Sequence, residues 1–386
     1  MLEPKNILQY TQNNRTPFYL YDLNALRSCL SRCKSASTKY GFHVHYAIKA
    51  NSEKPLLEVF RGQDFGVDCV TGQEVEMALS SEFDPSRIAF AGVGKSDWEI
   101  DLAINAEIFT LNVESLEELV VINERAGMLK KKANVAFRLN PNISAKTHHY
   151  ITTGLEENKF GISEWQLPEL FELLPSLENI EVRGLHFHIG SQIIDLEPFR
   201  NLCNRIHHFI RIFQDHGCEI SHVNAGGGLG FDYTRPDDDD NPNFERFFET
   251  FHNNLNLGRD MQLHFELGRS LVASCSDLIA KALYVKKGRK INFLILDAGM
   301  TELLRPALYQ AFHHIENISK RTNVQTERYD VVGPICESSD CFGKAVELNE
   351  VLRGDFIRIR SVGAYGACMS SEYNMRKANP AVFVDE

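Results

Sequence analysis

Between residues 40 and 270 one rhythm recurs eight times, a short apolar run followed by a longer amphipathic stretch. The runs read as strands: "HVHYAIK" (43–49), "FGVDCV" (65–70), "RIAFAG" (87–92), "IFTLNV" (108–113), "NVAFRLNP" (134–141), "VRGLHFHIG" (182–190), "ISHVNAGG" (220–227) and "MQLHFELG" (261–268). Helical candidates between them include "TGQEVEMALS" (71–80), "VESLEELVVINERAG" (113–127) and "LEPFRNLCNRIHHFIRIFQDHG" (196–217). Eight strands with intervening helices make an α/β fold of the (β/α)8 barrel type, although a doubly wound sheet has the same rhythm.

Beyond residue 270 the texture changes. "LIAKALYVKKG", "KINFLILDAG", "DVVGPICE" and "DFIRIRSVGAYG" follow one another with few long helices, which predicts an antiparallel β domain. The early "TPFYLYD" (16–22) is a further strand, expected to return and pack with the C-terminal ones. The expected division is therefore a barrel over 24–268 and a β domain built from 1–23 and 269–386. The acidic patch "PDDDD" (236–240) reads as a solvated loop.

Composition narrows the function. A net charge of −11 disfavours nucleic acid as the main partner, because phosphate backbones want a basic stripe. Nine cysteines contain no CxxC pair, so a structural zinc site is not expected. The start "MLEPKNILQY" lacks the basic and apolar regions of a secretory signal, and no apolar stretch has membrane-spanning length. Reduced thiols in a cytoplasmic protein are the expectation.

The strand ends carry the chemistry. "HYAIKAN" aims Lys49 out of an apolar run; it is either a snorkelling lysine or an amine placed for a Schiff base. "NAGGGLG" (224–230), with Gly227 and Gly228 at its centre, is a tight turn or a backbone cradle for an anion. Its position after the seventh strand favours the cradle, since that loop is a habitual phosphate site in barrels. "HFHIGSQ" sets His186 and His188 on one strand face, with Ser191 just beyond. Zinc lacks an evident third ligand there, and a ring stacked on a planar ligand is the alternative. Glu266 in "FELGR" needs a cation, either a structural Arg or a protonated pyridine nitrogen. Arg138 in "FRLN" ends another strand. Together these furnish an amine, a phosphate cradle, a stacking ring and a carboxylate for a heteroaromatic nitrogen, the equipment of a pyridoxal 5'-phosphate site.

The motifs "TPFYLYD", "YAIKAN", "TGLEENKFGI", "GLHFHIGSQ", "NAGGGLG", "DAGMTELLRPALY", "VVGPICESSD" and "GAYGACMSSEYNMR" stand in order almost end to end. In them the chain resembles the barrel-type (fold type III) pyridoxal phosphate-dependent decarboxylases, and within these the diaminopimelate decarboxylases. The resemblance implies a barrel plus a β domain, and a homodimer whose active sites are shared between subunits. It makes Lys49, His188 and Cys336 the catalytic set: the imine-forming amine, the residue stacked on the cofactor ring, and the proton donor. Ser191, Gly228 and the backbone of 266–269, including Gly268, match the phosphate cradle, and Glu266 matches the partner of the pyridine nitrogen. Asp68 and Arg138 match other cofactor-side positions. Arg269, Arg305 and Tyr309 match substrate positions, Glu337 the group that receives a distal ammonium, and Tyr365 a residue reaching both cofactor and substrate. Leu267 departs from the family, which usually has Pro there; a restored N–H and a looser turn are expected.

Charge selects the substrate. Arg269 and Arg305 suit a carboxylate and Glu337 an ammonium, which fits meso-2,6-diaminoheptanedioate losing CO2 at its D centre to give L-lysine. Ornithine and carboxynorspermidine lack a second amino-acid head. A non-catalytic cofactor-binding barrel is at odds with the intact Lys49, Glu266 and Cys336, and racemisation would need a base on each face of Cα.

Overall fold

A computed structural model describes residues 2–143, 158–258, 260–319 and 325–385. Residues 153–157, half of "TGLEENKFGI", lie outside the described residues. Strand β1 (Phe18–Asp22) precedes eight strands that close a barrel of parallel pairs: β2 (His43–Ala47), β3 (Gly66–Cys69), β4 (Ile88–Phe90), β5 (Thr110–Val113), β6 (Ala133–Arg138), β7 (Ile180–His186), β8 (His222–Asn224) and β9 (Gln262–Leu267). These are the eight expected runs, and closure, with β2 pairing β9, excludes the open doubly wound sheet. Closure removes both free edges of the sheet, and the helices cover its outer face.

Local chemistry explains the helices. Asp22, Thr71 and Ser115 cap three helix starts, accepting from the amides of Ala25, Glu74 and Glu118. The helix Glu197–Asp215 buries Phe199, Leu202, Cys203, Ile206, Phe209, Ile210 and Phe213, a stripe at spacings of three and four that must face the barrel. Tyr46 of β2 stacks on Phe60 with ring centroids 3.7 Å apart, joining strand to helix in the core.

The remaining strands, β10 (Ser276–Lys287), β11 (Asn292–Leu296), β12 (Ile315–Asn317), β13 (Thr326–Val332), β14 (Cys341–Asn349), β15 (Phe356–Ile359) and β16 (Val382–Val384), form one sheet with β1. As expected, the N-terminal strand returns: Phe18 pairs with Ile279 in an antiparallel ladder. The sheet is not wholly antiparallel, since β11 pairs β13 and β1 pairs β16 in parallel. A parallel pair needs a long crossover, and the segment between β11 and β13 supplies one.

Contacts between barrel and sheet position the site. The Tyr365 amide donates to Ala50 O at 2.8 Å, and Asn51 Nδ2 donates to Gly363 O at 2.8 Å, so the 361–366 segment is tied to the turn holding Lys49. The acidic loop also contributes: Asp237, Asp238, Asp239 and Asp240 are all exposed as expected, and Asp237 also accepts from Arg360 Nη1 at 2.8 Å. That aspartate anchors the loop after β8 to the sheet. All nine cysteines are free thiols, and among the described residues no helix is long and apolar enough to cross a membrane.

Candidate active site

Lys49 does not extend β2. The strand stops at Ala47, and Lys49 sits in a single turn, Ile48–Ala50, at its C-terminal end. Its Nζ lies 3.0 Å from Asp68 Oδ2, with the lysine side chain 37% exposed and the aspartate wholly buried. Burial alone would lower the ammonium's pKa, but Asp68, Tyr365 and Glu266 hold it above the ordinary lysine value. Burial and the Glu266 charge push the Asp68 carboxyl up, and Lys49 opposes them. The amine is thus fixed by one buried carboxylate yet reachable from the cavity.

Glu266 lies on the cavity near the C-terminal end of β9, buried. His186 Nε2 approaches its Oε2 at 2.8 Å, while Asn224 Nδ2 and Asn112 Nδ2 donate to Oε1 at 2.7 and 3.3 Å. Burial would raise this carboxyl, but His186, Lys49 and His188 bring it well below the usual carboxylate range. It is a fixed negative charge. Leu267 beside it is fully buried and paired with Tyr46, so it extends β9 instead of loosening a turn.

The glycine turn serves packing and orientation together. A Cβ on Gly227 would stand 1.9 Å from Glu266 O, and one on Gly226, whose φ is +71°, would stand 2.1 Å from Phe187 O. Only glycine allows those approaches. The Gly227 amide donates to His188 Nδ1 at 3.2 Å, so this N–H orients the imidazole and is not left for an anion. No helix starts at the turn; the next begins at Phe244. His188 lies past the end of β7 and so does not share a strand face with His186. Burial, Arg138 and Lys49 push its pKa well below the usual histidine value, and with Nδ1 accepting, the proton of the neutral ring is on Nε2.

The cations stand around the same space. Arg138 Nη1 pairs with Glu114 Oε1 at 2.5 Å, and its guanidinium carbon lies 4.6 Å from the Phe160 ring centre. Arg269 Nη2 donates to Ser191 Oγ at 3.0 Å, and its buried Nε has no hydrogen-bond partner among the described residues. Lys49, Arg138, His188, Ser191, Glu266 and Arg269 share one cavity of about 350 Å³. Arg305, Tyr309 and Tyr365 complete its wall, the last with a left-handed φ of +55°.

Asp68, Gly227, Gly228, Gly268, Cys336 and Glu337 are not among the cavity's lining residues. Cys336 and Glu337 are exposed. The Cys336 amide donates to Asn374 Oδ1 at 3.2 Å, and Tyr373 donates to Glu337 Oε1 at 3.1 Å. Asn112, Asn224, Glu114, Phe160 and Tyr233 are site residues that sequence reading did not single out. Asn224 opens "NAGGGLG", the only signal that could have pointed to it.

These residues fit pyridoxal phosphate: a reachable amine, a buried carboxylate at the cavity floor, a neutral imidazole, and a guanidinium with an unused donor beside a serine. Fold and site together define a barrel-type pyridoxal phosphate-dependent enzyme. The family model for the pyridoxal-dependent decarboxylase pyridoxal-binding domain matches residues 26–273. A diaminopimelate decarboxylase from Bacteroides thetaiotaomicron is 50% identical over 96% of each chain. The structure of the Helicobacter pylori diaminopimelate decarboxylase complexed with L-lysine matches with a TM-score of 0.92 at 39% identity, covering 98% of this chain and 94% of that one. The arginine decarboxylase of Paramecium bursaria Chlorella virus shares the fold, with a TM-score of 0.88 at 18% identity over 99% of this chain and 100% of that one. This chain belongs to the pyridoxal-dependent decarboxylase family, and within it to the diaminopimelate decarboxylases.

Proposed function

We propose that this protein decarboxylates meso-2,6-diaminoheptanedioate at its D centre, yielding CO2 and L-lysine as the last step of lysine biosynthesis. The observation that carries the substrate is the pair Arg269 and Arg305. Both are buried on the cavity that holds Lys49, and neither has a carboxylate partner among the described residues. A buried cation without an internal counter-charge is costly, and a ligand carboxylate or phosphate relieves that cost. Diaminoheptanedioate has two amino-acid heads, so one can react near Lys49 while the arginines hold the other.

When bound, pyridoxal phosphate supplies an aldehyde for an amino group and a ring that draws electrons from a bond to Cα. Lys49 provides the amine that attaches it, with Asp68 orienting that amine. Glu266 supplies the negative charge that favours a protonated ring nitrogen. His188 would cover one ring face, while Ser191, Gly228 and the backbone of Gly268 and Arg269 would take the phosphate end, leaving the Arg269 guanidinium for the substrate. Tyr309 and Tyr365 wall the substrate. Cys336 donates the proton that replaces CO2, and Glu337 receives the distal ammonium, both from a second copy of the chain. In this reading, 24–268 is the cofactor-binding barrel, and 1–23 with 269–386 completes the substrate site.

Two observations support a shared-site homodimer. Cys336 and Glu337 lie outside their own cavity, and their neighbours Tyr373 and Met375 are 48% and 93% exposed. Nine free thiols suit the reducing cytoplasm. Assays of CO2 release from diaminoheptanedioate, ornithine and carboxynorspermidine test the substrate: turnover of the first is expected, and turnover of only another would replace it. Mixing equal amounts of inactive Lys49→Ala and Cys336→Ala subunits should restore up to about a quarter of wild-type activity, since about half of the dimers are hybrids and each hybrid keeps one intact site of two. A uniformly dead mixture, with exchange of subunits verified, would refute the shared site.

A further inference from the structure

Tyr233 and His313 lie behind the cavity wall. We infer that they are positioning residues that hold Arg269 and Arg305 as a matched pair for the substrate's second carboxylate, an inference that rests on the proposed function. Arg269 Nη1 donates to the Tyr233 hydroxyl at 3.2 Å, and the Arg305 guanidinium carbon stands 4.8 Å from the centre of the same tyrosine's ring. One side chain therefore sets both cations, one through its oxygen and the other through its π face. On its far side Arg305 Nη1 lies 3.0 Å from His313 Nε2, and His313 Nδ1 lies 2.9 Å from Arg360 O.

That chain of bonds has one solution. Arginine only donates, so His313 Nε2 accepts, and the ring proton sits on Nδ1 and donates to the carbonyl. Burial and the Arg305 charge push the His313 pKa down to about 3, which keeps the ring in this neutral form. Tyr233 itself cannot swing: it is 7% exposed and packed edge-on against Phe231 and His313, with centroids 5.0 and 5.1 Å away. Its loop is closed by Asn241, which accepts from the Asp232 amide at 2.9 Å and donates to Asp232 O at 2.8 Å.

The choice of a phenol and an imidazole has a physical consequence. A carboxylate in either place would orient the guanidiniums equally well but would neutralise them. Burial would raise the Tyr233 phenol's pKa, but Arg305 and Arg269 lower it. While it keeps its proton, both acceptors are uncharged, fix the guanidiniums' direction and leave both charges for the ligand.

Tyr233→Phe keeps the packing and deletes the acceptor. The KM for diaminoheptanedioate and the inhibition constant of L-lysine should both rise by about tenfold, with kcat falling less than KM rises. Inhibition by 1,5-diaminopentane, the same diamine without a carboxylate, should not change, nor should the absorbance of the bound cofactor. Unchanged lysine binding, or equal losses for lysine and diaminopentane, would overturn the assignment. If Tyr233→Phe does not fold, His313→Leu carries the same comparison of the two inhibitors, and His313→Gln, which retains an acceptor, should recover part of the loss. Parent enzyme that ignores diaminoheptanedioate would sink the functional reading instead.

Discussion

Lys49→Ala should abolish covalent attachment of pyridoxal phosphate and lower kcat by roughly 10³-fold or more, because it removes the nucleophile that attaches the cofactor. Lys49 is the single lysine on the cavity wall among the described residues. Lys95, which bonds the cavity-lining Gly92, cannot stand in. Its ammonium is buried and its three donors are used by Gly92 O, Asn112 O and Glu118 Oε1 at 2.8, 2.8 and 2.6 Å. The checks are the absorbance spectrum of purified protein with and without borohydride, and peptide mapping of the reduced lysine. Label on another lysine, or an absorbance band that survives the substitution, would remove Lys49 from its role. Retained stability is expected, since the side chain is part-exposed and its loss leaves a carboxyl whose pKa burial already pushes up.

Glu266→Gln should cost about 10²- to 10³-fold in kcat while leaving the fold intact, the scale on which a fixed electrostatic partner of the reacting group acts. The exchange is nearly isosteric. Its amide oxygen can still accept from Asn224 and Asn112, and its amide nitrogen can donate to His186 Nε2 if the ring proton moves to Nδ1, which has no hydrogen-bond partner among the described residues. What disappears is the negative charge at the cavity floor. A protonated ring nitrogen then loses its counter-charge, and the ring accepts electrons less readily. Rate and cofactor absorbance should therefore change together while the thermal midpoint moves little. A variant with near-normal kcat would mean that Glu266 only holds His186, Asn224 and Asn112 in place.

Much of the barrel was legible because its signal is local and repeated. Each strand carries apolar residues that pack in the core, and β-branched and aromatic side chains prefer that environment wherever they occur. The ends were less legible. "HVHYAIK" reads as a strand through Lys49, but the chain turns after Ala47, and "VRGLHFHIG" reads as a strand through His188, but β7 closes at His186. β7 ends where its partners do, at Arg138 and Asn224, whereas β2 ends in the turn Ile48–Ala50 although β3 runs on to Cys69. The glycine turn was legible as a turn, whereas the engagement of the Gly227 amide with His188 depends on a residue 39 positions away.

Sequence by itself determined the order of elements, the chemistry of the strand ends and the family, because these are written in residue type and local spacing. Only the tertiary structure decided which charges meet: that Glu266 is held by Asn112, His186 and Asn224, that two arginines share Tyr233, and that Cys336 stands apart from its own cavity. Those groups come from separate strands and loops. Barrel closure brings them within a few ångströms, and no pattern along the chain encodes that meeting.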